Sequence, residues 1–184
     1  MIENYYDFIP LFYANLIEGV ITHEEIEWHW QQRISSLEGS YTSISDIYDT
    51  QTDPTKCPPI FWMLQYLLGK IQDEILPGYH YTRIRAVATT PATISKQYNT
   101  PHVDPDDVSV IYYPYDSTGD TYVFGRTGVP QEPIPQNMEI VKAATPKKGR
   151  ILVFPSNQYH AGSSPTSGRR MLINMNFAKY TTSR

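Results

Sequence analysis

Three residues of this chain, His102, Asp104 and His160, have the types and spacing to share one metal ion. In Thr100-Pro101-His102-Val103-Asp104-Pro105 an imidazole and a carboxylate stand two residues apart, and on an extended backbone both side chains project to the same face. A third donor is expected from a distant strand. His160 supplies it, following Gly149-Arg150-Ile151-Leu152-Val153-Phe154-Pro155, which reads as a strand ending in a turn. Two histidines and one carboxylate fill three positions of an octahedron and leave three open, which suits Fe(II) that binds a chelating co-substrate and O2 together. Zinc more often takes a closed site or one with a single opening. An isolated His-x-Asp pair is common, and a lone histidine near a strand end is usually a hydrogen-bonded surface residue. The metal reading therefore rests on joint position: His102 and Asp104 precede one predicted strand, His160 follows another, and a strand bearing Arg169 and Arg170 comes next.

The elements that must position these residues are legible in outline. A length of 184 residues allows one domain with a substantial core and is short for two, so a single domain over 1–184 is expected, with helical support over 1–78 and a β core over 79–184. Thr22 followed by Glu25 reads as a capping box, and Ile26, Trp30, Ile34 and Leu37 recur at helical spacing until Gly39, predicting a helix there. The polar stretch 40–55 reads as a loop. Pro58 and Pro59 precede a second helix over about 60–75, stopped by Pro77 and Gly78. Beyond Gly78, short β-branched and aromatic runs alternate with turn residues, predicting strands near 81–88, 93–98, 108–113, 121–124, 138–142, 150–154, 159–161 and 169–177. The expected fold is mainly β, a double-stranded β-helix (jelly roll) buttressed by two N-terminal α-helices.

Composition narrows the function classes. The 15 tyrosines favour a sheet-rich protein, and a net charge of −4 offers no general attraction to phosphate backbones or anionic membranes. The one cysteine, Cys57, has no internal disulfide partner and lies outside any metal-ligand spacing, so a reducing compartment is expected. No apolar run approaches the ~20 residues of a membrane span and the first residues lack a positive segment, so the expected location is cytoplasmic.

The stretch 81–179 resembles the Fe(II)/2-oxoglutarate-dependent oxygenase superfamily, and within it the prolyl 4-hydroxylase-like branch. The resemblance is carried by His102-Val103-Asp104, Val110-Ile111-Tyr112-Tyr113, Thr121-Tyr122-Val123-Phe124, Gly149 to His160, and Gly168-Arg169-Arg170 to Phe177, in the family's order. It implies His102, Asp104 and His160 as iron ligands, Arg169 or Arg170 as the anchor of the 2-oxoglutarate distal carboxylate, and Tyr113 as a second donor to it. The implied chemistry is a dioxygenase reaction in which O2 oxidises 2-oxoglutarate to succinate and CO2 and hydroxylates a substrate. The chain departs from the family at Gly119-Asp120-Thr121, and Asn174-Met175-Asn176-Phe177 lacks the second arginine of the branch that repairs alkylated nucleobases. Asp104 is present, which separates the chain from the halogenating relatives.

Between the two arginines, strand phase selects Arg169. Adjacent strand residues face opposite sides, and Arg169 shares its side with Met171, Ile173, Met175 and Phe177, the apolar set expected to face inward. The spacing from His160 to Arg169 also matches the oxygen-sensing prolyl hydroxylases. On this reading Arg170 is dispensable for the co-substrate. Among substrates, a peptidyl prolyl or other protein side chain ranks first, a free amino acid or small metabolite second and a nucleobase third. For the last, only Arg83, Arg85, Lys147 and Lys148 could follow a phosphate backbone, and nucleic acid is disfavoured as a partner. Tyr98 is a candidate for the pocket wall. The rival class is a non-enzymatic jelly-roll binding module, which would bind no iron and release no succinate.

Overall fold

A computed structural model describes residues 1–23, 26–31, 42–92 and 97–181 of the chain. In chain order the elements are β1 (Glu3–Tyr5), α1 (Leu11–Thr22), β2 (His29–Gln31), β3 (Thr42–Asp49), α2 (Pro59–Met63), α3 (Gln65–Glu74), β4 (Tyr79–Thr89), β5 (Val108–Tyr112), β6 (Thr121–Thr127), β7 (Ile140–Ala144), β8 (Ile151–Pro155), β9 (Gln158–Gly162) and β10 (Arg170–Lys179). The strands form a seven-stranded sheet in the order β1-β8-β5-β10-β4-β3-β2 and a three-stranded sheet in the order β7-β6-β9, with antiparallel pairing throughout. This is the expected jelly roll with helices on one side. No helix among the described residues is long and apolar enough to cross a membrane.

The large sheet is buried on both faces. Its outer face carries Ile84 and Ala86 of β4, Val110 and Tyr112 of β5, and Met171, Ile173, Met175 and Phe177 of β10, packed against Ile17, Ile21, Leu64, Leu67, Leu68 and Ile71 of the helical layer. Its inner face turns Ile111, Leu152, Phe154 and Leu172 toward Val123 of the small sheet. A pleated strand sends alternate residues to opposite faces, so both layers are served by the same strands. The helices seal one side by burying apolar area at about 25 cal/mol per Å², leaving the other side free to hold polar groups.

Three expectations about the elements need correction. Thr22 ends a helix instead of starting one: its Oγ1 donates back to the Glu18 carbonyl at 2.7 Å, and the His23 N–H closes on Gly19 O. The apolar run that starts at Phe8 is what forms α1, while His29–Gln31, inside the predicted helix, pairs with β3; 24–25 and 32–41 lie outside the described residues. The predicted loop 40–55 contains β3, whose Thr42, Ser43 and Ser45 are buried although polar. Small hydroxyl residues read as loop by composition, and here cross-strand pairing to β4 satisfies their backbone. Of the predicted strand 93–98, residues 93–96 lie outside the described residues, and Gln97 and Tyr98 are in a bend. The second helix is present as α2 and α3, joined through Leu64.

Candidate metal centre

The two histidines face each other across an antiparallel bridge. His102 N–H donates to His160 O at 3.0 Å and His160 N–H donates to His102 O at 2.9 Å, which sets the rings 4.3 Å apart. The bridge adds residue 102 to the free edge of β9, so local pairing brings distant positions of the sequence together. Asp104, two residues on, is tied to the turn between β8 and β9 by its N–H donating to Ser156 O at 2.9 Å. One ligand atom from each of His102, Asp104 and His160 then lies within 4.8 Å of the others. Asp104 and His160 are buried, at 7% and 4% exposure, whereas His102 is at the open side.

The donor set fits a divalent cation. His160 Nδ1 sits 3.0 Å from the Gln158 carbonyl, which only accepts, so Nδ1 carries the proton and the Nε2 lone pair is free. That lone pair lies 3.6 Å from Asp104 Oδ2. Two electron-rich atoms held this close are stabilised by a cation between them. Burial and the neighbouring His102 push the His160 imidazole down to about 4 against the pull of Asp104, so it is neutral near pH 7. Burial alone would raise the Asp104 carboxyl; its neighbours His160 and His102, the Arg83 guanidinium and the Asn174 amide overcome it and hold the group well below the usual carboxylate range. Both are thus in the protonation state a metal requires.

A polar network on the inner face of the large sheet fixes the carboxylate. Oδ2 accepts from Ser109 Oγ at 2.9 Å, Asn174 Nδ2 at 3.1 Å and Asn176 Nδ2 at 3.2 Å, while Oδ1 accepts from Arg83 Nη2 at 3.1 Å. Arg83 also donates through Nε and Nη2 to Asn176 Oδ1, at 3.0 and 2.8 Å, closing a ring through its cross-strand partner. These four residues were not singled out by sequence reasoning as parts of the site. The signal available was the polar character of every second residue in Asn174-Met175-Asn176. Such outer partners typically contribute 10–100-fold to metal affinity. Arg83→Ala is therefore expected to weaken Mn(II) binding about tenfold, measured by calorimetry, while Arg83→Lys recovers part of it; unchanged affinity in both would count against the network.

The triad opens on a cavity of about 420 Å³, and Arg170 lies on its wall with Thr121, Leu172 and Asn174. Arg170 is 4% exposed; its Nε donates to Gly119 O at 2.6 Å and its Nη2 to Thr121 Oγ1 at 2.5 Å. No carboxylate pairs with it among the described residues, and burial lowers the affinity of this guanidinium for its proton. Gly119 is required beside it: φ is +90°, and a Cβ there would stand 2.9 Å from Arg170 Cδ and 2.7 Å from Ser163 O. The departure from the family at Gly119-Asp120-Thr121 thus falls where the chain wraps this arginine.

Arg169 is exposed and does not line the cavity; its carbonyl accepts from Tyr115 Oη at 2.9 Å. The expected phase of the last strand is reversed. Met171, Ile173, Met175 and Phe177 do share a face, but that face meets the helices, and Arg170, Leu172, Asn174 and Asn176 turn into the jelly roll. Tyr113 is fully buried and its hydroxyl donates to Thr121 Oγ1 at 2.7 Å, so it stands behind the Thr121 that receives Arg170 and is not itself on the cavity wall. Tyr98 packs on Phe124 and Tyr122 on the outer face of the small sheet, with ring centroids 5.0 and 5.8 Å away. Cys57 is half-buried beside the helices, and burial pushes its thiol up, away from reactivity.

Neither a family model nor a curated protein sequence matches this chain. Solved structures do. A prolyl-4-hydroxylase from Pseudomonas putida matches at 14% identity and a TM-score of 0.55, over 98% of this chain and 93% of that one. A 2OG-Fe(II) oxygenase family oxidoreductase from Burkholderia pseudomallei matches at 11% identity and 0.66, over 97% and 86%. HygX from Streptomyces hygroscopicus, solved with nickel, 2-oxoglutarate and hygromycin B, matches at 11% and 0.64, over 97% and 82%. With these likenesses added to the strand order and the facing histidines, the chain has the jelly-roll fold of the 2-oxoglutarate- and Fe(II)-dependent oxygenases, prolyl 4-hydroxylases among them.

Proposed function

We propose that the chain is an Fe(II)- and 2-oxoglutarate-dependent dioxygenase in which His102, Asp104 and His160 hold the iron and Arg170, in place of the expected Arg169, receives the distal carboxylate of 2-oxoglutarate. The observation that carries this reading is the pairing of a His-Asp-His cluster with a buried guanidinium that no carboxylate pairs with among the described residues, on the wall of one cavity. When bound, the iron and 2-oxoglutarate supply the oxidising chemistry, with O2 consumed and succinate and CO2 released. The protein's own residues do the positioning. The Ser109, Asn174, Asn176 and Arg83 contacts hold Asp104 in one orientation; Gly119 O and Thr121 fix the Arg170 fork; Ile111 and Leu172 keep part of the cavity wall apolar, which limits water at the reacting centre. Tyr113 acts through Thr121, orienting the hydroxyl that Arg170 also contacts.

For the substrate, a peptidyl prolyl or other protein side chain is the first reading. It is supported by the prolyl hydroxylase likeness, which includes a Trichoplax adhaerens prolyl hydroxylase in complex with a hypoxia inducible factor peptide at 14% identity and a TM-score of 0.56. The HygX likeness, with hygromycin B bound, supports a small molecule as the second reading. Proline-containing peptides are expected to raise succinate release severalfold above the rate without substrate, and single-stranded methylated DNA to leave it unchanged. Mass spectrometry of the products decides: a nucleobase product with no peptide product across a broad panel would reverse the order.

A further inference from the structure

Among the described residues, three arginines and one carboxylate, Asp104, line the cavity. Two of the three cations have an anion inside the site. Arg83 has Asp104 at 3.1 Å, and Arg170, on the oxygenase reading that this inference rests on, meets the distal carboxylate of 2-oxoglutarate. Arg85 is the remainder. Among the described residues its ion pair is with Asp46 of β3, through Nε and Oδ1, and Asp46 is not on the cavity wall and has a side chain 56% exposed. An ion pair so open to water contributes about 1 kcal/mol or less, and it engages one of the five N–H groups of a guanidinium.

The placement of Arg85 is that of a substrate contact. It is on the same face of β4 as Arg83 and Val87, and its cross-strand partner on β10 is Asn174, whose amide donates to Asp104 Oδ2 at 3.1 Å. The backbone of Arg85 is therefore one interstrand spacing, roughly 5 Å, from that of a residue that holds the metal-facing carboxylate. Ile44, Val87 and Leu172 also line the cavity and offer contact to a hydrocarbon body. We propose that Arg85 is the receptor for a carboxylate on the substrate, so that the compound hydroxylated is an acid: a free amino or other carboxylic acid, or a peptide with an acidic side chain next to the reacting residue. A planar guanidinium matches a carboxylate with parallel hydrogen bonds, and Asp46 is the resident anion that such a group displaces or shares.

The test is calorimetric binding to the Mn(II)-loaded protein with 2-oxoglutarate, without oxygen, using matched pairs that differ only in charge. The pairs are N-acetyl-L-proline against N-acetyl-L-prolinamide, 4-methylpentanoate against its amide, and acetyl-Pro-Asp-amide against acetyl-Pro-Asn-amide. In at least one pair the acid is expected to bind tenfold or more tightly; a preference in the first two pairs assigns a free acid, and one confined to the third assigns an acidic peptide. The preference should fall below twofold in Arg85→Gln and grow threefold or more in Asp46→Asn, with 2-oxoglutarate affinity within twofold of wild type in both. Equal binding in all three pairs, or a preference that survives in Arg85→Gln, overturns the proposal. Should Arg85→Gln fail to fold, Asp46→Asn decides, and no gain in acid binding overturns it. Failure of 2-oxoglutarate itself to bind would count against the oxygenase reading separately, since the matched pairs can still be compared on the Mn(II) protein alone.

Discussion

His102→Ala, Asp104→Ala and His160→Ala should each lower Fe(II) affinity and succinate release by about a thousandfold or more, because two remaining ligands cannot fix a labile divalent ion in one geometry. The three variants should differ in stability. His102 is exposed and, among the described residues, its ring bonds through Nδ1 to the Thr100 carbonyl at 3.4 Å, so its removal should leave thermal unfolding close to wild type. Asp104 is the acceptor for Ser109, Asn174, Asn176 and Arg83, and its loss leaves a largely buried guanidinium and three donors without a partner, a cost of roughly 3 kcal/mol. Asp104→Asn keeps the shape and should recover part of that stability without recovering iron. Anaerobic titration with Fe(II), together with thermal unfolding, measures both. Wild-type affinity in all three alanine variants would remove the basis for an iron site.

Arg170→Ala should raise the 2-oxoglutarate requirement about a hundredfold, equivalent to about 2.7 kcal/mol, and Arg169→Ala should change it less than twofold. The large effect follows from burial. A carboxylate brought to the Arg170 end of the cavity loses its water, and without the guanidinium it stays buried and unpaired. Arg170→Lys should recover only part of the loss, since an ammonium cannot hold Gly119 O and Thr121 Oγ1 and still present a flat pair of donors. The measurement is succinate release against 2-oxoglutarate concentration, with Mn(II) affinity as the control for an intact metal site. A defect confined to Arg169→Ala would mean that the last strand presents its other face to the co-substrate.

How much of this was legible in the sequence differs from element to element. The His102, Asp104 and His160 cluster was, since the first two stand two residues apart and the third follows a strand, and the suitability of two imidazoles and a carboxylate for a divalent cation is a matter of donor type that does not depend on the fold. Seven of the eight predicted core strands are present with boundaries shifted by a few residues, because β-branched runs between turn residues are a local signal. The helix expected at Thr22 was not a local matter in the same sense: a capping pair and an apolar spacing are compatible with more than one outcome, and His29–Gln31 went to the sheet edge beside β3. The strand phase that turned Arg169 inward and Arg170 outward failed for a more instructive reason. Alternation in Arg170-Met171-Leu172-Ile173-Asn174-Met175-Asn176-Phe177 states correctly that odd and even residues part company, but it cannot say which face is the inside of the jelly roll. The rule that the apolar face turns inward assumes one buried face, and this sheet has two. The helices take the apolar one, leaving the interior between the sheets to hold Arg83, Arg170, the asparagines and the Asp104 carboxylate around the cavity.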